Sequence, residues 1–254
     1  MKSTVVRFLN QNGEELQGRL ESLENETPLA YAIFAHCFTC TKDIKAANYI
    51  SKELARKQIA TLRFDFTGLG DSCGSFADST FLTNTEDVIS AGKFLAKEYE
   101  GPRILVGHSL GGAAVLHAAK SIESVKAVAT VGAPFDPEHV TEHLQSSIQE
   151  IEEKGEAKVL LSGRPFTLKK AFLDDLKKLC PAKTVSEMGK SLLILHSPTD
   201  QTVGIENAEK LYHAARHPKS FVTLDSADHL LRKKKDAEYV GGLIAAWSER
   251  YIAS

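Results

Sequence analysis

Gly107-His108-Ser109-Leu110-Gly111 decides the reading of this chain. The run Arg103-Ile104-Leu105-Val106 precedes it, and Gly112-Ala113-Ala114-Val115-Leu116-His117-Ala118-Ala119 follows. In order these read as a buried strand, a very tight turn and a helix. A serine at the tip of such a turn is held in a strained backbone conformation with its hydroxyl exposed. Only glycines on either side let strand and helix come that close. The pentapeptide alone is a weak signal; the strand before it and the helix after it carry the reading.

Strands and helices alternate on both sides of this turn. Val5-Val6-Arg7-Phe8-Leu9 and Leu16-Gln17-Gly18-Arg19-Leu20 flank a turn-rich segment and read as an antiparallel hairpin at one sheet edge. Strands are expected at 31–35, 61–66, 125–131, 192–195 and 220–224. Helices are expected at 43–57, 80–98 and near 205–216, with a last helix placing Val240, Leu243, Ile244, Trp247 and Tyr251 on one face. This alternation predicts an α/β fold: a mostly parallel, twisted sheet of about eight strands, with helices on both faces and right-handed crossovers. Ligands of such sheets bind beyond the carboxyl ends of the strands. Residues 1–254 suit one domain of this kind. Residues 138–187 break the rhythm, being too long for one crossover helix. They carry a polar, acidic helix (138–154), a short β-rich piece around 158–166 and a second helix (168–179), and read as a small cap over the site.

The 254 residues are 43% hydrophobic and 25% charged with a formal net charge of -2, which leaves no global basic field for nucleic acid. No apolar span is long enough for a membrane, and the N-terminus lacks a continuous apolar signal core, so a cytoplasmic protein is expected. Cys37 and Cys40 form a C-x-x-C. The accompanying features of a thioredoxin-like unit are missing, and so is the second pair a zinc site needs. Reduced, non-redox thiols are therefore expected, with no metal and no organic cofactor.

Serine is a poor nucleophile at neutral pH and needs a base in hydrogen-bond reach, itself oriented by a carboxylate. The strand 192–195 runs into His196-Ser197-Pro198-Thr199-Asp200, and the last strand into Asp225-Ser226-Ala227-Asp228-His229. In the chain order serine, acid, histidine, these supply Asp200 and His229 to Ser109. Asp136 is the serious rival acid, since it also follows a strand. Asp225 and Asp228 lie too near His229 in sequence to face it. His36 is expected to brace the loop after strand 31–35 and His108 to pack beneath the turn. His117, His139, His143, His213 and His217 read as helix-surface or cap residues. Backbone N–H donors for a developing oxyanion are expected at Leu110 and at Phe38, with Cys37 the alternative to Phe38. The glycine-rich loop Gly68-Leu69-Gly70-Asp71-Ser72 lacks the ending of a phosphate-binding loop and reads as a structural turn.

Taken together, His36-Cys37-Phe38-Thr39-Cys40-Thr41-Lys42-Asp43, Arg63-Phe64-Asp65-Phe66-Thr67-Gly68-Leu69-Gly70-Asp71-Ser72, Val106-Gly107-His108-Ser109-Leu110-Gly111-Gly112 and Val131-Gly132-Ala133-Pro134 resemble bacterial α/β-hydrolase domains. Some of these are fused to a C-terminal OsmC-type domain. The first run is also similar to the oxyanion loop of cinnamoyl (feruloyl) esterases, with Cys37 in place of the usual glycine. No OsmC-type segment lies within the 254 residues. The resemblance implies the α/β-hydrolase fold with a small cap, a Ser109–Asp200–His229 triad and oxyanion N–H groups from Phe38 and Leu110.

The function expected is a serine hydrolase, carboxylesterase-like, cleaving small-molecule esters of short to medium acyl chain through an acyl-enzyme. Thioester or peptide hydrolysis on the same triad is the nearest alternative. An idle hydrolase fold serving as ligand sensor or interaction module is the alternative of another class. Phe166, Phe172 and Leu173 of the cap are the expected acyl-pocket residues. A monomer or homodimer is expected, with no nucleic-acid or membrane partner.

Overall fold

The computed structural model describes residues 1–161 and 163–252, without the side chains of His143, Gln145 and Ser146. Ser162, inside the expected β-rich piece, and the side chain of His143 therefore lie outside the described residues.

Among the described residues, ten strands form two sheets. The first two, β1 (Lys2–Leu9) and β2 (Glu15–Ser22), make the expected hairpin, with Val5 opposite Arg19. The parallel strands are β3 (Ala30–Ala35), β4 (Ile59–Phe64), β5 (Ile104–His108), β6 (Ala127–Val131), β9 (Ser191–His196) and β10 (Lys219–Thr223). The eight lie in the order β1-β2-β4-β3-β5-β6-β9-β10. Within this sheet, among the described residues, only β1–β2 and β2–β4 pair antiparallel. The chain steps from β3 outward to β4, then crosses back past β3 to β5. The strand order thus reverses between β3 and β5, where Ala35 pairs with Gly107. A crevice opens at such a switch point beyond the carboxyl ends of the strands. The loops after β3 and β5 are therefore the ones brought to it.

Alternation along the central strands sends side chains to two apolar layers. Ala32, Phe34, Val106, Ala129, Leu193 and Leu195 face α1 (Lys45–Arg56) and α8 (Lys234–Ile252). Ile33, Leu105, Val128, Leu192 and Ile194 face α2 (Phe81–Glu98) and α3 (Leu110–Ala118). The start of α2 is fixed by a capping box in which Thr80 and Thr83 satisfy each other's backbone N–H. Helix α7 (Glu206–Ala214) follows β9 and adds Ala208 and Leu211 to the second layer.

Between β6 and β9 the expected helix, β-rich piece and second helix occur in that order, with shorter helices and a longer hairpin than expected. Pro137–Leu144 winds as 3₁₀ helix, and α4 (Gln145–Lys154) ends at Gly155 with φ +83. A hairpin of β7 (Glu156–Leu161) and β8 (Arg164–Lys169) follows, then α5 (Lys170–Leu176) and α6 (Pro181–Glu187). Leu168 and Lys169, expected in a helix, instead pair with Ala157 and Glu156. Cross-strand pairing overrides their helical periodicity here. Among the described residues no helix is long and apolar enough to cross a membrane.

Candidate active site

Ser109 sits between β5 and α3 at φ 55, ψ -127, a strained conformation for any residue with a side chain. Two glycines make room for it. A Cβ on Gly107 would lie 2.4 Å from the carbonyl oxygen of Gly111, and one on Gly111 would lie 2.3 Å from that of His36. The turn thereby presses α3 against the loop after β3. The backbone N–H of Ser109 donates to the Val131 carbonyl at 2.9 Å, tying the turn to the end of β6.

The loops after β9 and β10 bring Asp200 and His229 to this serine. His229 Nε2 lies 2.9 Å from Ser109 Oγ, and His229 Nδ1 lies 2.7 Å from Asp200 Oδ2. The other carboxylate oxygen of Asp200 accepts the N–H groups of Thr202 at 2.8 Å and Val203 at 3.0 Å. Burial works to raise the Asp200 carboxyl. The hydrogen bonds from His229, Val203 and Thr202 outweigh it and hold the group below the ordinary aspartate value, so it is a carboxylate at neutral pH. The rival acids are used elsewhere. Asp136 accepts the N–H of Glu138 at 2.9 Å, Asp228 accepts that of Leu230 at 3.0 Å, and Asp225 is exposed.

Three further histidines end β3, β5 and β9, and each ring donates to a main-chain carbonyl of a site loop. His36 Nδ1 donates to Cys37 at 2.8 Å, His108 Nε2 to His229 at 2.6 Å and His196 Nε2 to Val203 at 2.8 Å. Burial pushes all three down, His108 to about 3, so they are neutral braces. The expected bracing by His36 is what the structure has. His108 does more than pack, since it holds the backbone of His229 itself. His117, expected on the helix surface, is half-buried edge-on to Phe81 at 5.0 Å, and burial lowers it to about 4.

The loop after β3 is anchored by a buried ion pair. Lys42 and Asp65 are almost wholly inaccessible. Asp65 receives the Lys42 backbone N–H and ammonium at 2.6 Å each, and the Asp71 N–H at 3.0 Å. Asp71 in turn accepts from the Lys42 ammonium at 2.6 Å. The glycine-rich loop thus bonds to other protein groups, as a structural turn does, although the Asp71 side chain is exposed.

The same loop overturns one expectation. Cys37 and Cys40 are not a reduced pair but a disulfide. Cys40 N–H donates to the Cys37 carbonyl at 3.1 Å, which closes a four-residue turn and brings the two Cα atoms to 5.4 Å, within bridging range. Reasoning from the thioredoxin-like helical context missed this, because here the spacing belongs to a turn. Cys73 and Cys180 are free and exposed.

A cavity of about 400 Å³ opens over Ser109. Its walls come from the β3 loop (Cys37, Phe38, Thr39, Cys40), from Leu110 and Pro134, and from the His229 loop, where Leu230 and Arg232 stand at the mouth. The segment between β6 and β9 contributes His139, Val140, Leu160 and Leu161. Among the described residues, the expected acyl-pocket side chains Phe166, Phe172 and Leu173 are not in this wall. Phe172 and Leu173 are core residues at 2% and 3% exposure, Phe172 stacking on the back of Phe38 at 5.5 Å. Phe166 is partly buried against Phe76. The hairpin turns Leu161 to the cavity, and helix α5 faces the core instead. His139, expected as a surface or cap residue, stands in the wall with Nε2 2.8 Å from the Thr202 carbonyl.

The sequence profile of the alpha/beta hydrolase family matches residues 32–240. The chain belongs to this family. It is 48% identical to the esterase domain of a Rhodothermus marinus protein, with a TM-score of 0.81 over 99% of this chain and 100% of that one. It is 30% identical over 185 residues to the human mitochondrial palmitoyl-protein thioesterase ABHD10, covering 70% of this chain and 56% of that protein. The match to the mouse protein covers 61% of its length, so the alignable part spans about three fifths of these curated relatives. Est1E of Butyrivibrio proteoclasticus with ferulic acid bound shares the fold, at 22% identity and a TM-score of 0.79 over 97% of this chain and 99% of that one.

Proposed function

We propose that this alpha/beta hydrolase is a serine hydrolase of carboxylic esters with short to medium acyl chains. The observation that carries the reading is the continuous path Ser109 Oγ–His229 Nε2 at 2.9 Å and His229 Nδ1–Asp200 Oδ2 at 2.7 Å, opening into an apolar-walled cavity.

In this reading Ser109 Oγ attacks the ester carbonyl while His229 Nε2 takes its proton. Asp200 keeps the other ring nitrogen protonated and offsets the charge that His229 gains. The carbonyl oxygen becomes an oxyanion held by the backbone N–H groups of Leu110 and Phe38. Leu110 is suited to this because the first N–H groups of a helix have no partner within it. Collapse of the tetrahedral adduct releases the alcohol, which takes the proton from His229. Water, deprotonated by His229, then attacks the acyl-enzyme, and the acid leaves with Ser109 restored. Each step uses one proton carrier and returns it.

Thioester hydrolysis on the same groups is the second reading, favoured by the 30% identity to proteins named as palmitoyl-protein thioesterases. The acyl-enzyme half is common to both; only the leaving group differs.

The test is labelling with a fluorophosphonate together with hydrolysis of p-nitrophenyl butyrate and of butyryl and palmitoyl thioesters. Wild-type protein should label and turn over ester, and Ser109→Ala should do neither. Turnover in pure Ser109→Ala protein at the wild-type rate would sink the reading. A preference for thioester above tenfold in kcat/KM would shift it to the second form.

A further inference from the structure

We propose that the Cys37–Cys40 disulfide positions the oxyanion donor at Phe38, so that hydrolysis depends on the oxidation state of this loop; the inference rests on the serine hydrolase reading above. Both cysteines line the catalytic cavity beside Ser109 and Leu110. The residues between them are the middle of the turn closed by the Cys40 N–H to Cys37 carbonyl bond. Phe38, the proposed donor, is one of them. The other, Thr39, sits at φ +59. That region is strained for a β-branched side chain, and a turn of this kind ordinarily takes glycine or asparagine there. Left to itself, Thr39 favours leaving this conformation, and the peptide N–H of Phe38 would move with it.

The Phe38 ring is packed against Phe172 at 5.5 Å and Phe76 at 5.6 Å, contacts that hold its side chain rather than its peptide N–H. His36 holds the Cys37 carbonyl, and Asp65 holds the Lys42 N–H at 2.6 Å. Between these anchors the bridge is the covalent restraint on the turn, assisted by Arg164 of β8, which donates to the Thr39 carbonyl. A bridge that closes only four residues constrains the unfolded chain less than one closing a long loop. Its main consequence is therefore local, on the geometry of one peptide group over Ser109.

Reduction is chemically accessible from the cavity side. Cys40 is half-buried and Cys37 is buried. A thiolate of a small dithiol attacks Cys40 Sγ, and the S–S electron pair passes to Cys37 Sγ, which takes up a proton. The second thiol of the reagent then attacks the mixed disulfide and releases Cys40, and the dithiol departs as its own cyclic disulfide. Two electrons and two protons pass from the dithiol to the loop. A small disulfide such as oxidised glutathione reverses the exchange.

The experiment uses the Cys73→Ser/Cys180→Ser protein, so that every remaining thiol belongs to the loop. It is prepared oxidised with glutathione disulfide, or reduced with dithiothreitol and desalted under nitrogen. Thiol titration, Tm, and kcat and KM for p-nitrophenyl butyrate are measured on both. The expected result is no thiols and full activity when oxidised, and two thiols when reduced. In the reduced form kcat should be at least about tenfold lower, toward the ~10²–10³-fold that complete loss of one oxyanion donor costs. KM should stay within about twofold, Tm within a few degrees, and reoxidation should restore kcat. Cys37→Ser/Cys40→Ser in the same background should match the reduced protein. Equal kcat in both states, two thiols that resist oxidation, or a loss of kcat that only tracks unfolding overturns the inference. If the oxidised protein neither turns over ester nor takes a fluorophosphonate, the serine hydrolase reading fails first and this inference with it.

Discussion

The ring of His108, one residue before the serine, donates from Nε2 to the main-chain carbonyl of His229 at 2.6 Å. The two rings lie 5.2 Å apart. Because Nε2 carries the proton, Nδ1 is left bare, and among the described residues it has no hydrogen-bond partner. His108 is thus a neutral strut under His229 and competes for no proton. His108→Leu keeps the volume but leaves the His229 carbonyl unpaired, at a cost of about 1–3 kcal/mol. The expected outcome is a fall in kcat of about tenfold with a lower Tm, measured on p-nitrophenyl butyrate and by thermal melts. Wild-type kcat in a folded His108→Leu protein would remove the strut from the argument.

The assignment of the acid is open to a direct comparison. Asp200 touches His229 and two loop N–H groups, whereas Asp136 serves the N–H of Glu138. Asp200→Asn should lower kcat by several orders of magnitude, because the amide favours the wrong imidazole tautomer. Asp136→Asn should leave kcat within about threefold. The reverse ranking in steady-state kinetics would name the wrong carboxylate.

Much of this was legible in the sequence, for a physical reason. A strand, a glycine-bounded serine and a helix leave few backbone solutions, and an aspartate and a histidine each following a later strand must arrive at the same sheet edge. What was not legible depends on pairing between distant or locally bent segments. Leu168 and Lys169 looked helical until β7 was there to pair with them. The alternation Ala157, Val159, Leu161 inward and Leu160 outward was present in the sequence as period two. Cys37 and Cys40 carried no redox context, and only the turn geometry at Thr39 makes them partners.

The buried pair Lys42–Asp65 predicts a large stability loss on breaking one side. Asp65→Ala leaves the Lys42 ammonium, 1% exposed, with Asp71 at 2.6 Å and Asp43 at 3.7 Å, both on the exposed side of the loop. Breaking such a pair costs about 3–5 kcal/mol. Chemical denaturation should show a shift of that size. A change below about 1 kcal/mol would mean that the loop repacks around the free lysine.

Asp87 gives stability an uncommon pH dependence. It is buried on α2, where it accepts the Thr67 N–H at 2.8 Å, and burial raises its carboxyl to about 6 against those hydrogen bonds. The unfolded carboxyl titrates near 4. Between the two values the native state binds the extra proton, so stability falls as pH rises through this window. Two units correspond to about 3 kcal/mol. Asp87→Asn has no such titration. The wild-type Tm minus the Asp87→Asn Tm should therefore decrease from pH 4 to pH 7. A difference that stays flat, or grows, would show that Asp87 does not hold a proton in the fold.

The segment between β6 and β9 places one set of side chains at the cavity and another in the core. Leu160 is 72% exposed yet lines the cavity mouth, and Leu161 faces inward in the same wall. Phe172 stands behind Phe38 at 2% exposure. Each buried methylene of a bound acyl chain contributes about 0.8 kcal/mol, so trimming the wall penalises a long chain more than a short one. Leu160→Ala and Leu161→Ala should raise the butyrate-over-octanoate ratio of kcat/KM by about three- to tenfold, and Leu160→Ala should do so with little change in Tm. Phe172→Ala opens a cavity in the core and should cost about 3–5 kcal/mol. Its selectivity should change less than that of Leu161→Ala, because Phe38 still covers it. If Phe172→Ala shifts the ratio while both leucine variants keep it, the acyl chain lies under α5, and the β7–β8 hairpin does not read it.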